Sequence, residues 1–66
     1  MNKLEFHYKD ASGWTSATAE ASFADEQKAI ESARINLSER DYAEVQIWSG
    51  ARLVARLHRH ELERAA

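Results

Sequence analysis

One segment of this chain, FADEQKAIESARINL at residues 23–37, is long and periodic enough to predict an amphipathic helix. At about 100° per residue, one side of the helix carries a narrow, mainly apolar stripe and the other side is mostly polar. The stripe consists of Phe23, Glu26, Ile30, Ala33 and Leu37, with Ala29 at its edge, whereas Lys28, Ser32, Ile35 and Glu39 point away. Such a stripe needs a sheet to pack on, because a small sheet and one helix bury their apolar faces against each other.

The segments on both sides of the helix alternate between apolar and polar residues, which is the period of a half-buried strand. Residues 3–8 and 14–21, joined by a turn at residues 10–13, predict one hairpin. Residues 42–48 and 51–58 predict a second hairpin. The expected fold class is therefore α+β: a four-stranded, mainly antiparallel ββαββ sheet with one amphipathic helix packed on one face. It forms a single domain over residues 1–66, in which residues 58–66 are a charged tail that is frayed or forms one helical turn.

The start of the helix has two candidate caps. Either Ser22 caps it with Asp25 three residues on, or Asp25 is itself the cap and Phe23 is the last strand residue. The second arrangement is favoured. No glycine or proline marks the end of the helix, which is placed near residues 37–40.

The register of the second hairpin depends on its loop. A two-residue loop at Ser49 and Gly50 would pair Ile47 with Arg52 and mix core with surface residues. A three-residue loop at residues 49–51, with Gly50 at a positive φ, is therefore predicted. Its core pairs are Ile47 with Leu53, Val45 with Ala55 and Ala43 with Leu57, and its outer pairs are Trp48 with Arg52 and Glu44 with Arg56.

The stretch AEVQIWSGARLVARL, residues 43–57, resembles the ending of a family of short bacterial proteins of uncharacterised function. Members typically carry an alternating first strand and an Asp-capped, alanine-rich helix like ADEQKAIESAR. A hairpin with valine, an acid, valine and tryptophan follows, with glycine in its turn and a run similar to RLVARL. The resemblance implies the ββαββ fold, and because its motifs are structural it implies no catalytic or ligand residue.

Size and charge favour a small protein that assembles with a copy of itself. A chain of 66 residues without cysteine has no disulfide to supplement a small core, so a homodimer is expected. The opening MNKLEFHYKD alternates in polarity, which predicts neither a signal peptide nor a membrane span and favours the cytoplasm. The net charge of −2 argues against general affinity for nucleic acid or anionic membrane.

Several aromatic and basic residues are predicted to project from the sheet face opposite the helix, where a monomer would show polar residues to water. An exposed apolar patch of this kind usually marks contact with another molecule, and here it predicts self-association or a different protein partner. The alternative is scattered aromatics covered in part by arginine stems. The predicted interface residues are Trp14, Tyr42, Trp48, Val54, Arg52 and Arg56.

Nucleic-acid binding, metal binding and catalysis have less support in the sequence than protein contacts have. Nucleic acid could stack on Trp14 and Trp48 beside Arg52 and Arg56, which is the alternative function. A metal site at His58, His60 and Glu61, joined by His7 only if its strand lies nearby, lacks the surrounding groups that orient ligands. No catalytic, cofactor-binding or metal residue is predicted, since no serine, histidine and acid are placed together. We expect a non-enzymatic protein that acts through protein contacts, as a homodimer through the helix-free face or a strand edge.

Overall fold

The structure is a computed structural model that describes residues 2–60, except for the side chain of residue 2. Its elements are β1 (Asn2–Lys9), β2 (Thr15–Phe23), α1 (Glu26–Glu39), β3 (Glu44–Ser49) and β4 (Arg52–His58). The predicted ββαββ order and α+β class are confirmed. Most of the predicted charged tail, residues 61–66, lies outside the described residues.

The four strands form one antiparallel sheet in the order β2-β1-β3-β4. β1 and β3 are therefore the central strands, and β2 and β4 are the edges. Phe6 of β1 shows how the core face is built, since it pairs with Ala19 of β2 on one side and with Ile47 of β3 on the other.

The core lies between α1 and the two central strands. Among the described residues it consists of Leu4, Phe6, Tyr8, Ala29, Ala33, Leu37, Val45 and Ile47. Ala29 and Ala33 let the helix backbone approach the sheet closely, and Leu37 fills the space beyond them. Ala29 is fully buried rather than at the edge of the stripe, whereas Ile35 is exposed as predicted.

α1 begins at the position predicted by the favoured capping arrangement, in which Asp25 is the cap. Asp25 is the N-cap, and its side chain accepts a hydrogen bond of 2.9 Å from the backbone N–H of Lys28. Phe23 ends β2, as this capping arrangement predicts, so the helix begins at Glu26 although the periodic segment extends back to Phe23. At the other end the backbone N–H of Arg40 donates to the carbonyl of Asn36 at 3.0 Å.

The register predicted for the second hairpin is wrong. Ser49 pairs with Arg52 across a loop of Gly50 and Ala51, and Gly50 has the expected positive φ of 61°. Trp48 pairs with Leu53, but Ile47 pairs with Ala55, which leaves Val54 as an extra residue in β4. Such a bulge shifts every later pair, so Val45 faces Leu57, Gln46 faces Arg56 and Glu44 faces His58.

No helix within residues 2–60 has the length and apolar character needed to cross a membrane.

Candidate protein-contact surfaces

The face of the sheet opposite α1, called the outer face below, carries one tryptophan among polar neighbours. Trp48 is half-buried there, and its Nε1 donates a hydrogen bond of 3.1 Å to Oε1 of Gln46. The same Gln46 donates through Nε2 to Glu44 at 2.9 Å, and the ring of His7 lies 6.4 Å from the Trp48 ring between centroids. Trp48 is therefore held inside a polar network.

Charged groups of both signs also lie on the outer face. Glu44 lies 3.7 Å from Nδ1 of His58 and 3.9 Å from Nε of Arg56. Toward the opposite edge, Lys3 lies 3.5 Å from Glu20, and His7 lies 3.7 Å from Glu5. Such pairs are typical of a solvated face and contribute little to stability.

Two of the predicted interface residues do not lie on the outer face. The Tyr42 ring is 4.9 Å from the ring of Tyr8, a buried core residue, and Val54 packs against the core. The prediction failed for Tyr42 because β3 begins only at Glu44, so its alternation does not extend back to residue 42. It failed for Val54 because the bulge turns this residue toward the helix side.

The predicted pairing of Arg52 with Trp48 is also wrong. Arg52 lies on the helix side, where its Nη2 is 2.6 Å from Oε2 of Glu26 in the first turn of α1. Arg56 pairs with Gln46 and so belongs to the outer face. The two arginines proposed for nucleic-acid binding therefore lie on opposite faces of the sheet.

Leu53 takes the place on the outer face that was assigned to Val54. It pairs with Trp48 and is 42% exposed. The sequence does contain a signal for this arrangement. Leu53, Val54 and Ala55 are three consecutive apolar residues in an otherwise alternating strand, and such a break indicates an extra residue in one strand.

Trp14 lies in the tight turn between β1 and β2 and is 77% exposed. The turn is held by Asp10, whose carboxylate accepts hydrogen bonds from the Ser12 hydroxyl at 2.6 Å and from the Trp14 N–H at 3.2 Å. The Ser12 hydroxyl is the largest cause of a lowered pKa at Asp10, partly opposed by desolvation and assisted by the Trp14 and Ser12 backbone N–H groups and the Ser16 hydroxyl. The turn thus presents a large aromatic side chain from a well-ordered backbone.

The two edges of the sheet differ in their resistance to further pairing. β4 carries a bulge, together with Arg52, Arg56 and His58, and these are the features by which natural edge strands avoid pairing. β2 has nine residues, contains no proline, and has Glu20 as its one ionisable side chain. Its bulge lies at Ser16, which leaves residues 17–23 in regular pairing with β1.

β2 also carries an open apolar surface on the helix side, which we call the alanine shelf and define as Ala17, Ala19 and Ala21. These residues face the same side as the core, since Ala19 pairs with Phe6 and Ala21 with Leu4. Ala19 and Ala21 are nevertheless exposed, and a small cleft of about 90 Å³ separates them from Ser32 and Asn36 of α1. α1 packs on the core residues of the central strands β1 and β3 and leaves the shelf uncovered.

The weak metal prediction receives no support within the described part of the chain, where no group of three or more histidine, cysteine or acidic residues could hold a metal ion. The rings of His58 and His60 lie 5.4 Å apart between centroids. Glu61, the third predicted ligand, lies outside the described residues.

A scan against protein-family models, a search of curated proteins and a search of solved structures each find no match for this chain. The resemblance of residues 43–57 to short bacterial proteins therefore stays a prediction. The surfaces that remain as candidates for function are the outer face, the edge of β2 and the alanine shelf beside it.

Proposed function

We propose that this protein acts through protein–protein contacts rather than catalysis, and that it is a homodimer whose interface is the open edge of β2. The observation that carries the proposal is the contrast between the two edges of the sheet. β4 is guarded by a bulge and three basic residues, whereas β2, beyond the bulge near its start at Ser16, presents residues 17–23 in regular register with one charge. An unguarded edge is a template for another strand, because its backbone N–H and C=O groups on that side have no partner strand.

The size of the core supports association. The described residues provide eight buried hydrophobic side chains, and two of these are alanines from α1. A domain of this size buries only about 60% of the surface that its unfolded chain exposes. Pairing two copies would add backbone hydrogen bonds along β2 and would place Ala19 and Ala21, which are exposed in the single chain, beside alanines of the second copy.

The edge of β2 is a better candidate for the dimer interface than the outer face is. The outer-face prediction depended on Tyr42 and Val54, and both lie on the helix side. Trp48 remains on the outer face with Leu53 beside it, but its indole N–H is already hydrogen-bonded to Gln46 and its other strand neighbour is Glu5. A cytoplasmic location is part of the proposal.

The test is the solution mass of the protein at several concentrations, by sedimentation equilibrium or light scattering. The wild-type chain should approach twice the monomer mass as concentration rises. Ala19→Lys places a charge on the open edge and should give monomers. The matched control is Leu53→Lys, which places the same charge at an exposed position in β4 and should leave the dimer intact.

A second variant distinguishes the edge from the outer face. Trp48→Glu should leave the dimer intact if β2 is the interface, and it should give monomers if the outer face is the interface. A wild-type chain that stays monomeric throughout, or a monomeric Trp48→Glu beside a dimeric Ala19→Lys, would overturn the proposal.

A further inference from the structure

We infer that the two copies pair antiparallel through β2 about a two-fold axis at Ala19, so that Ala19 faces Ala19 of the second copy and Ala17 faces Ala21. This inference rests on the proposed homodimer. It goes further by naming which residues meet and on which side of the joined sheet each helix lies.

The two-fold symmetry restricts the possible pairings. Two identical antiparallel strands that extend one sheet are related by an axis perpendicular to that sheet, so the axis preserves its faces. Residues directly opposite each other in a sheet also share a face. Shelf alanines must therefore meet shelf alanines, both helices lie on the same side, and the axis must pass through one residue of β2.

A two-fold axis through Thr18, Ala19 or Glu20 leaves a long part of β2 paired with the β2 strand of the second copy. An axis at Ala19 pairs residues 17–21 of the regular part of β2 with their copies, and the bulge at Ser16 then sets Thr15 opposite Ser22. An axis at Glu20 would centre on the regular part of the strand, but it would set two carboxylates directly opposite each other, which is destabilising. An axis at Thr18 would leave Ser22 and Phe23 unpaired.

The pairing at Ala19 is also self-complementary in its side chains. Glu20 faces Thr18 of the second copy, so no like charges meet, and Glu20 keeps its neighbour Lys3 at 3.5 Å. The two alanine shelves become one continuous apolar strip. Small side chains suit this position, because they allow the two strands to approach without steric conflict on the helix side.

The same register accounts for the exposed tryptophan. Because Ser16 is an extra residue in β2, this pairing places Thr15 opposite Ser22 and brings Trp14 beside Phe23 of the second copy. Trp14 is 77% exposed in the single chain. Partly buried tryptophans at an interface commonly contribute much of the binding energy.

The absence of cysteine from the sequence allows a direct test with single-cysteine variants. Directly opposed residues in an antiparallel pair have Cα atoms about 4.5 to 5.5 Å apart, which lies within the range that a disulfide spans. Under mild oxidation, Ala19→Cys should give a disulfide-linked dimer as its main product. Ala17→Cys and Ala21→Cys should each remain unlinked alone and should crosslink when they are mixed.

The outcomes separate this inference from the proposed homodimer. If the mass shows a dimer but Ala19→Cys does not crosslink, while a mixture of Ala19→Cys and Ala21→Cys does, the axis lies at Glu20 and this register is overturned. If the chain is monomeric, the homodimer and the register both fail.

Two measurements do not depend on the cysteine variants folding normally. In a dimer of mixed isotope labelling, wild-type chains should show a nuclear Overhauser effect between the methyl groups of Ala17 and Ala21 of different copies. In Trp48→Phe, where Trp14 is the one remaining tryptophan, emission should shift to longer wavelength as the dimer is diluted. The absence of the Ala17–Ala21 effect in a proven dimer would overturn the register, and unchanged Trp14 emission would overturn its contact with the second copy.

Discussion

Leu53 lies opposite Trp48 on the outer face of the sheet, because Val54 takes an extra position in β4. Val54 consequently packs against the core, and Leu53 is left 42% exposed. The same shift places Arg52 on the helix side, where it reaches Glu26. One inserted residue thus determines the face of three neighbouring side chains.

The bulge predicts that a lysine destabilises the fold more at Val54 than at the adjacent Leu53. Val54→Lys should lower the free energy of unfolding by about 1 to 3 kcal/mol, because it brings a charge to the edge of the core. Leu53→Lys should lower the free energy of unfolding by less, because Leu53 is 42% exposed and the stem of a lysine can keep the contact with Trp48. Urea unfolding at one fixed protein concentration measures both values. A larger loss at Leu53 than at Val54 would contradict the register of β4.

The contact between Arg52 and Glu26 should contribute modestly to stability, since the two side chains are 63% and 42% exposed. A double-mutant cycle with Arg52→Gln and Glu26→Gln should give a coupling of about 0.2 to 1 kcal/mol. The coupling should fall as salt is raised, because the pair is solvent-exposed. The matched control is a cycle of Arg56→Gln with Glu26→Gln, whose side chains lie on opposite faces and whose effects should add. Equal couplings in the two cycles would argue against the placement of Arg52.

The turn at Asp10 predicts a local dependence of stability on pH. The Ser12 hydroxyl and the neighbouring N–H groups lower the pKa of Asp10, so its carboxylate is more acidic in the folded chain than in the unfolded chain. A lowered folded-state pKa adds stability above the unfolded value, near pH 4, and that stability is lost as the pH falls through the folded-state pKa. An NMR titration of the Asp10 carboxyl carbon should therefore show a midpoint below the ordinary aspartate value.

Ser12→Ala should raise the pKa of Asp10 toward its ordinary value by removing the largest cause of the shift. Ser38→Ala is the control, because the Ser38 hydroxyl donates to the carbonyl of Ile35 in α1 and does not touch the turn. A pKa of Asp10 that is insensitive to Ser12→Ala would show that the hydroxyl contact is absent in solution.

Local chemistry was enough to predict the order of the elements. Asp25 caps α1 because its carboxylate accepts from Lys28, and both partners lie within one turn of chain. Gly50 takes a positive φ at the second hairpin, and alternation identified Leu4, Phe6 and Tyr8 as one face of β1. The predicted interface was less successful, because it required the correct face for residues in β4 and before β3.

The sequence alone therefore determined that two hairpins flank one capped helix, since caps, turns and alternation act over a few neighbouring residues. Packing between distant segments decided which side chains are exposed. At the bulge, Val54 packs against the core while β4 stays paired with β3. Because successive side chains of a strand point to opposite faces, one extra residue moves the neighbouring side chains to the other face of the sheet. The open edge of β2 also has a tertiary origin, because the strand order β2-β1-β3-β4 puts β2 at the end of the sheet and α1 packs on the central strands, which leaves Ala19 and Ala21 uncovered.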